Sequence, residues 1–171
     1  MNRIWPFIPK RLLDLLRQPV ALFLAWLARI VSGARVEWIQ CQPSARQRLY
    51  YFNHTSHADS VLLWAVLPSD IRELVRPVAA EEYWSSSPLR RYVAERVFGA
   101  VFVSREARLL DDRQRQIDRM VEGLNQENSL ILSPEGTRGN GDEIMPFKSG
   151  IYYLCLARPD LELVPVFLEN L

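Results

Sequence analysis

The chain has 171 residues, of which 49% are hydrophobic and 24% are charged, and its formal net charge is +1 at pH 7. This length fits about one domain, and the composition excludes intrinsically disordered, collagen-like and disulfide-framework proteins. The near-neutral charge gives no overall attraction to nucleic acid, so no nucleic-acid partner is expected. Cys41 and Cys155 are far apart in the sequence and are expected to be buried free thiols.

The first 48 residues are basic, whereas the rest of the chain is mildly acidic. They contain eight basic and two acidic side chains, and the remainder contains 13 basic and 18 acidic ones. Between Leu12 and Val31, apolar side chains recur every three or four positions, which is typical of an amphipathic helix. Pro19 interrupts this run, so the sequence predicts two short helices that meet near residue 18 as a hairpin.

We expect residues 1–31 to dock on an anionic membrane surface without crossing it. The uncharged stretch 18–28 has eleven residues, whereas crossing a bilayer needs about 20. The segment also carries aromatic side chains suited to headgroup level and arginines that reach lipid phosphates: Trp5, Phe7, Phe23, Trp26, Arg11, Arg17 and Arg29. The alternatives are a hairpin packed on the domain core and a signal peptide, which the charges in and beside the apolar run disfavour.

Beyond residue 35, short β-rich runs alternate with helical stretches. This pattern predicts an α/β domain with a mixed, largely buried sheet flanked by helices. The predicted strands are 36–41, 49–52, 75–79, 100–103, 129–132 and 163–167, and the predicted helices lie near 59–67, 87–97, 106–124 and 149–157. Composition breaks near residue 35, so we expect membrane-interface helices over 1–35 and the α/β domain over 36–171.

The segment NHTSHAD, residues 53–59, follows a predicted strand and contains both histidines of the chain. His54 and Asp59 are separated by four residues, so a loop turning into a helix would bring the carboxylate to the imidazole. Such a contact fixes the ring tautomer and stabilises the imidazolium formed when the ring accepts a proton. Three interpretations stay open: a His–Asp base pair, an Asp59 that only caps the helix, and a metal site with His54, His57 and Asp59. The metal site is disfavoured because the chain has no third histidine.

A second polar cluster, SPEGTRG at residues 133–139, follows the predicted strand 129–132. Gly136 permits close backbone approach, and Arg138 provides a planar fork suited to phosphate. Lys148, near the start of the next helix, opposes the helix dipole unless it serves an anionic ligand. These residues predict an anion-binding loop, although an ordinary polar turn has the same composition. Ser133 lies in no Gly-x-Ser-x-Gly sequence, so a serine nucleophile is not expected.

Four blocks, taken in order, resemble those of the glycerophospholipid acyltransferases, whose best-known members are the 1-acylglycerol-3-phosphate acyltransferases. The blocks are NHTSHAD, GAVFVSR at 99–105, SPEGTRG with FKSG at 147–150, and the strand 164–166. The resemblance extends from about residue 49 to 166. It implies transfer of a fatty acyl group from acyl-CoA or acyl-carrier protein to a hydroxyl of a lysophospholipid or related lyso-lipid. No metal or other cofactor is expected.

The resemblance also implies roles for individual residues. His54 matches the catalytic base of the family and Asp59 its orienting partner. Arg105 matches the arginine that closes the second block, and Pro165 matches the proline of the fourth. The residues matched to acceptor binding in the third block are Glu135, Gly136, Thr137 and Arg138, and Lys148 is expected to join them. The acceptor oxygen would then attack the thioester directly, with His54 taking its proton.

The sequence departs from the family pattern at three places. A lysine-rich stretch common before the second block is replaced by residues 78–84, which leaves room for an acceptor such as a lyso-aminolipid. Ser133 stands where an aromatic residue is frequent, and Gly139 stands where serine is common. The chain ends at Leu171, five residues past Val166, so we expect either a truncated chain or a reduced acyl-binding part.

The expected location is peripheral or monotopic on the cytoplasmic face of the cell membrane. Both donors are cytosolic, and the family commonly carries N-terminal helices that seat the enzyme on a membrane. Two other functions remain as alternatives. One is a non-catalytic lipid-binding module, and the other is a metal-dependent hydrolase that uses His54, His57 and Asp59.

Overall fold

The computed structural model describes residues 10–56, 58–104, 110–125, 127–139 and 143–169. They contain one five-stranded sheet flanked by helices, which confirms the predicted α/β class. The strands are β1 (Arg48–Phe52), β2 (Val75–Ala80), β3 (Val101–Val103), β4 (Ser129–Leu132) and β5 (Glu162–Val166). Their order in the sheet is β3-β2-β4-β1-β5.

Each pairing in this sheet is parallel, so the expectation of a mixed sheet is wrong for the described residues. Parallel neighbours require crossover connections, and helices lie between successive strands along the chain. The helices are α1 (Lys10–Ser32), α2 (Asp59–Val66), α3 (Ser69–Arg72), α4 (Glu81–Trp84), α5 (Pro88–Tyr92), α6 (Leu110–Leu124) and α7 (Gly150–Ala157). A π-helical turn, Val93–Val97, continues α5.

Both faces of the sheet are covered, because alternate residues of each strand point to opposite sides. Tyr50, Ile131 and Val164 are buried in the core shared with α1 and α2. Leu49 and Leu130 are buried in the other core, against α6 and α7. This two-sided burial explains why the central strands read as short, almost continuous apolar runs.

The N-terminal segment is one continuous helix, α1, and the predicted hairpin is wrong over the described residues. Pro19 lies inside this helix, where its ring removes one backbone donor. The carbonyl that loses its partner belongs to Leu15, four residues before the proline, and Leu15 is a strongly exposed residue. Packing of the helix against the domain then outweighs the loss of a single hydrogen bond.

The face of α1 toward the domain carries Ala21 and Ala25 together with Val20 and Leu24, whereas most of the large apolar side chains of the helix face outward. Ala21 and Ala25 are buried, and Arg29 donates to the carbonyls of Ala65 and Leu67 at the end of α2, over 2.7 and 3.1 Å. Among the side chains of α1 that the structure describes, eight large apolar ones are exposed: Leu15, Leu16, Leu22, Phe23, Trp26, Leu27, Ile30 and Val31.

By length and composition, residues Asp14–Ser32 of α1 meet the criteria for a membrane span, with a mean hydropathy of 1.4. This range is longer than the uncharged stretch 18–28, on which the expectation of a segment that does not cross the membrane rests. Core helices of soluble proteins and N-terminal signal sequences meet the same criteria. The packing of Ala21 and Ala25 on the domain is the property that distinguishes α1 from a free helix.

The predicted strand 36–41 is wrong, because this segment forms an irregular connection between α1 and β1. Gln40 has a φ of 54°, in the left-handed region that interrupts extended backbone. Val36 and Ile39 are exposed, and Trp38 and Cys41 are only partly buried, so neither face of the segment is buried continuously along its length. The remaining predicted strands match β1 to β5 within two residues at each end.

Candidate active site

The segment after β1 brings His54 and Asp59 into direct contact. β1 ends at Phe52, the chain turns at the carboxyl edge of the sheet, and α2 begins at Asp59. The Nδ1 atom of His54 lies 2.9 Å from Oδ2 of Asp59. Ligands in open α/β folds bind at this edge of the sheet. The four-residue separation therefore produces the carboxylate–imidazole pair that the sequence predicts.

Asp59 is completely buried and is held by backbone groups as well as by the imidazole. The N–H groups of Thr55 and Ser56 donate to the same Oδ2 atom, over 2.7 and 2.8 Å. Burial alone would raise the pKa of Asp59, but the hydrogen bonds from His54, Ser56 and Thr55 bring that pKa below its ordinary value. The carboxylate therefore stays charged and orients the ring.

The His54 ring is held with Nδ1 toward Asp59. Its side chain is 14% exposed, and it packs edge-on against Phe52 with ring centroids 5.6 Å apart. Since Nδ1 is occupied, Nε2 is the ring nitrogen left for exchanging a proton with a ligand. This arrangement fits a general base oriented by a carboxylate.

His54 lines a cavity of about 860 Å³ that extends along the carboxyl edge of β2, β3 and β4. Part of the lining is apolar, with Val78, Val103, Ile117, Met120, Leu132 and Ile151. The polar part of the lining includes Asp111, Arg113, Ser133 and Lys148. The cavity therefore combines an apolar wall with charged groups, and the His54 imidazole lies on the same wall.

The residues of the loop after β4 have three different environments: the large cavity, the solvent and a smaller cavity. Gly136 lines the cavity together with Lys148, and Gly136 has a φ of +64°. Thr137 and Arg138 are exposed and lie outside the residues that form the cavity wall. Glu135 is buried, and it borders a separate cavity of about 70 Å³ together with His54.

Two contacts that tie neighbouring loops to the His54 segment were missed from the sequence. Glu135 accepts the backbone N–H of His54 over 3.2 Å. The Asn53 amide binds the backbone of Leu168, after β5, through Nδ2 to the carbonyl at 2.9 Å and through Oδ1 from the N–H at 2.7 Å. The only signal in the sequence was that Asn53 directly follows β1 and that Glu135 lies three residues after β4, which proves to be the neighbouring strand.

Four residues singled out in the sequence, Arg105, His57, Trp5 and Phe7, lie outside the described residues. Among the residues that the structure does describe, no group of three or more His, Cys, Asp or Glu side chains is placed to hold a metal ion. Ser133 borders the cavity, and its buried Oγ atom has no hydrogen-bond partner within the described part of the chain.

Comparison with known proteins identifies the family of this site. The model of the family described as Acyltransferase matches residues 34–169, most of the chain. The chain belongs to the glycerophospholipid acyltransferase family. Members of this family acylate lysophospholipids. The matched region contains the His54–Asp59 pair and the loop after β4, both at the carboxyl edge of the sheet.

Two curated relatives are similar to this glycerophospholipid acyltransferase family member. The chain is 30% identical over 126 residues to a lyso-ornithine lipid O-acyltransferase from Pseudomonas aeruginosa, covering 71% of this chain and 43% of the relative. It is 25% identical over 158 residues to a 1-acyl-sn-glycerol-3-phosphate acyltransferase from Haemophilus influenzae, covering 86% of this chain and 60% of the relative. The chain thus spans about half the length of these relatives. No solved structure gives a significant match.

Proposed function

We propose that this chain transfers a fatty acyl group from a thioester donor, acyl-CoA or acyl-carrier protein, to a hydroxyl of a lyso-lipid. The observation that carries the proposal is the His54–Asp59 pair, 2.9 Å apart, on the wall of a large cavity with both apolar and charged lining. The family assignment supports the same reaction class.

In the proposed mechanism, Nε2 of His54 accepts the proton of the acceptor hydroxyl as its oxygen attacks the thioester carbonyl carbon. The C–O bond forms and a tetrahedral intermediate collapses with cleavage of the C–S bond. The imidazolium then returns the proton to the departing sulfur. Asp59 stabilises the positive ring throughout. A positioned base contributes about 10²–10⁴-fold, and orientation of two bound substrates roughly 7–11 kcal/mol.

The apolar part of the cavity lining suits a fatty acyl chain, and the charged part suits the headgroup of the acceptor. The apolar side chains of Val78, Val103 and Met120 offer a surface for a fatty acyl chain, whose burial is favourable by about 0.8 kcal/mol per methylene. Lys148 lies over Gly136, with its Nζ 3.2 Å from the position that a Cβ at 136 would take. We propose that Gly136 and Lys148 bind the acceptor's anionic headgroup, with Thr137 and Arg138 at the exposed end of the same loop.

Arg105 is proposed to take part in substrate binding on the resemblance alone. The acceptor's chemical class is also a proposal. One relative is named for a lyso-ornithine lipid and the other for 1-acylglycerol-3-phosphate. The cavity lining contains a carboxylate, Asp111, in addition to the cations Arg113 and Lys148. This mixture suits a zwitterionic aminolipid headgroup as well as a phosphate.

We further propose that α1 seats the enzyme on a membrane as a monotopic anchor, on the cytoplasmic face where the donors are found. The inner face of the helix is packed on the domain, and its outward face presents large apolar side chains such as Phe23 and Trp26. Such a face lies in the membrane interface, where an acyl chain leaves the bilayer without crossing water.

The experiment that tests the function supplies acyl-CoA or acyl-carrier protein with a panel of lyso-lipids, including lyso-ornithine lipid and 1-acylglycerol-3-phosphate. Free thiol release and product mass are followed together. The wild-type chain should give one diacyl product per thiol released, and His54→Ala should lower kcat by about 10²–10⁴-fold. His57→Ala is the control and should stay active. Equal turnover by His54→Ala, or thiol release without acylated lipid, would overturn the proposal.

A further inference from the structure

Both backbone polar groups of His54 are held by the loop after β4. The N–H of His54 donates to Oε1 of Glu135 over 3.2 Å. The carbonyl of His54 accepts the N–H of Gly139 over 2.8 Å. The residue proposed as the base is therefore fixed twice through its backbone by one turn, independently of the Asp59 contact that fixes its ring.

Glu135 is placed to make this contact and not to meet the headgroup of an acceptor. It is 2% exposed, and it borders the small cavity shared with His54 and Gly139 instead of the large one. Within the described residues no Lys, Arg or His forms an ion pair with it. A buried carboxylate without a cation needs N–H donors, and it would repel an acceptor's phosphate.

We infer that Glu135 is a positioning residue that holds the backbone of His54 in place, and that it does not bind the acceptor. The inference rests on the proposed function, because it takes His54 as the base. Asp59 fixes the direction of the imidazole, but it cannot fix the position of the Cα atom from which the ring extends. Glu135 and Gly139 supply that second restraint from the loop that follows the neighbouring strand, β4.

Three variants of Glu135 separate the effect of its hydrogen bond with the His54 N–H from the effect of its charge. Glu135→Gln removes the charge but keeps an Oε1 acceptor for the His54 N–H. Glu135→Asp keeps the charge but is one methylene too short, and Glu135→Ala removes both. A positioning role predicts near wild-type kcat for Glu135→Gln and a kcat lower by about 10- to 100-fold for Glu135→Asp and Glu135→Ala, at little changed acceptor KM. Glu127→Gln, on an exposed turn, is the matched control.

A measurement without substrate tests the contact itself. The chain has two histidines, so untagged protein labelled with ¹⁵N-histidine gives two backbone amide signals, and His54→Ala assigns them. Glu135→Asp and Glu135→Ala should shift the His54 amide and speed its hydrogen exchange, whereas Glu135→Gln should leave it close to wild type. Glu135→Asp carries the test should the alanine variant not fold.

The two readouts distinguish the possible failures. A raised acceptor KM in Glu135→Gln, with an unmoved His54 amide in Glu135→Asp, would overturn the inference in favour of a headgroup ligand. Wild-type protein that acylates no lyso-lipid would overturn the proposed function instead, and a His54 amide that still responds to Glu135→Asp would then uphold the contact on its own.

Discussion

Lys148 lies directly over Gly136. A Cβ atom at position 136 would stand 2.9 Å from Cδ of Lys148 and 3.2 Å from both Cε and Nζ. Gly136 also has a φ of +64°, a conformation that L side chains adopt only with strain. The glycine therefore has two functions, since it permits the turn after β4 and leaves room for the lysine beside the cavity.

Gly136→Ala should destabilise the fold by about 1–2 kcal/mol through backbone strain and should also displace Lys148. Gly33→Ala is the matched control, because Gly33 has a φ of +63° but no atom within 4 Å of its Cβ position. Chemical denaturation should give similar losses for the two variants. Acceptor KM should rise only in Gly136→Ala, and an equal rise in both would contradict a specific role for Lys148.

The Asp59 carboxylate makes stability depend on pH in the acid range. Its hydrogen bonds lower its pKa in the folded state below the ordinary 3.8 of an unfolded chain. The unfolded state therefore binds more protons in the interval between the two pKa values. The contribution of Asp59 to the free energy of unfolding is fully present above pH 3.8, and it is lost as the pH falls through the lower pKa of the folded state.

Replacing Asp59 should remove the part of the pH dependence of the unfolding free energy that comes from its carboxylate. Urea denaturation at pH 6 and at pH 3 should show a smaller loss of unfolding free energy in Asp59→Asn than in the wild type. Asp70→Asn changes an exposed carboxyl group, and this variant should lose as much unfolding free energy between pH 6 and pH 3 as the wild type. Identical losses in wild type and Asp59→Asn would mean that the hydrogen bonds do not lower the pKa of Asp59.

The outward face of α1 should govern membrane binding. Phe23 and Trp26 are 56% and 58% exposed, so changing them to serine should leave the fold intact. Burying such a side chain is favourable by about 1.5–3 kcal/mol, so each change should weaken partitioning into vesicles containing anionic lipid by about tenfold or more. Co-sedimentation measures this.

The control for the α1 variants is Leu163→Ser. Leu163 is also exposed, but it precedes Val164 on β5, and Val164 packs in the core on the α1 side. Alternation along the strand therefore directs Leu163 to the opposite face of the sheet. Equal losses of vesicle binding in this control and in Trp26→Ser would argue against α1 as the anchor.

The volume of the large cavity should limit the length of the acyl chain. Ala80 lines this cavity at the end of β2, so Ala80→Leu should shorten the space available to the donor's chain. Each methylene excluded from the cavity should lower kcat/KM by about fourfold, corresponding to about 0.8 kcal/mol. Competition between long and short acyl donors measures the change, with Ala45→Leu on an exposed loop as the control. An unchanged donor preference would place the acyl chain elsewhere.

The sequence predicted the elements whose patterns are local. β4 was predicted over the residues that it occupies, and α2 was predicted to begin near Asp59, where it does begin. The His54–Asp59 contact was predictable for the same reason, since its geometry follows from one turn of the chain. The three failures, the hairpin, the strand 36–41 and the mixed sheet, concern features that depend on what packs against or pairs with a segment.

What the sequence determined by itself is the α/β class, the His54–Asp59 pair and the family, because strand and helix periods and short motifs are properties of neighbouring residues. Only the tertiary structure decided that Ala21 and Ala25 face the domain while Phe23 and Trp26 face outward. It also decided that β4 lies beside β1, which brings Glu135 to the backbone of His54, 81 residues away. Pairing between distant strands depends on the packing of the whole sheet, and no local pattern of residues encodes it.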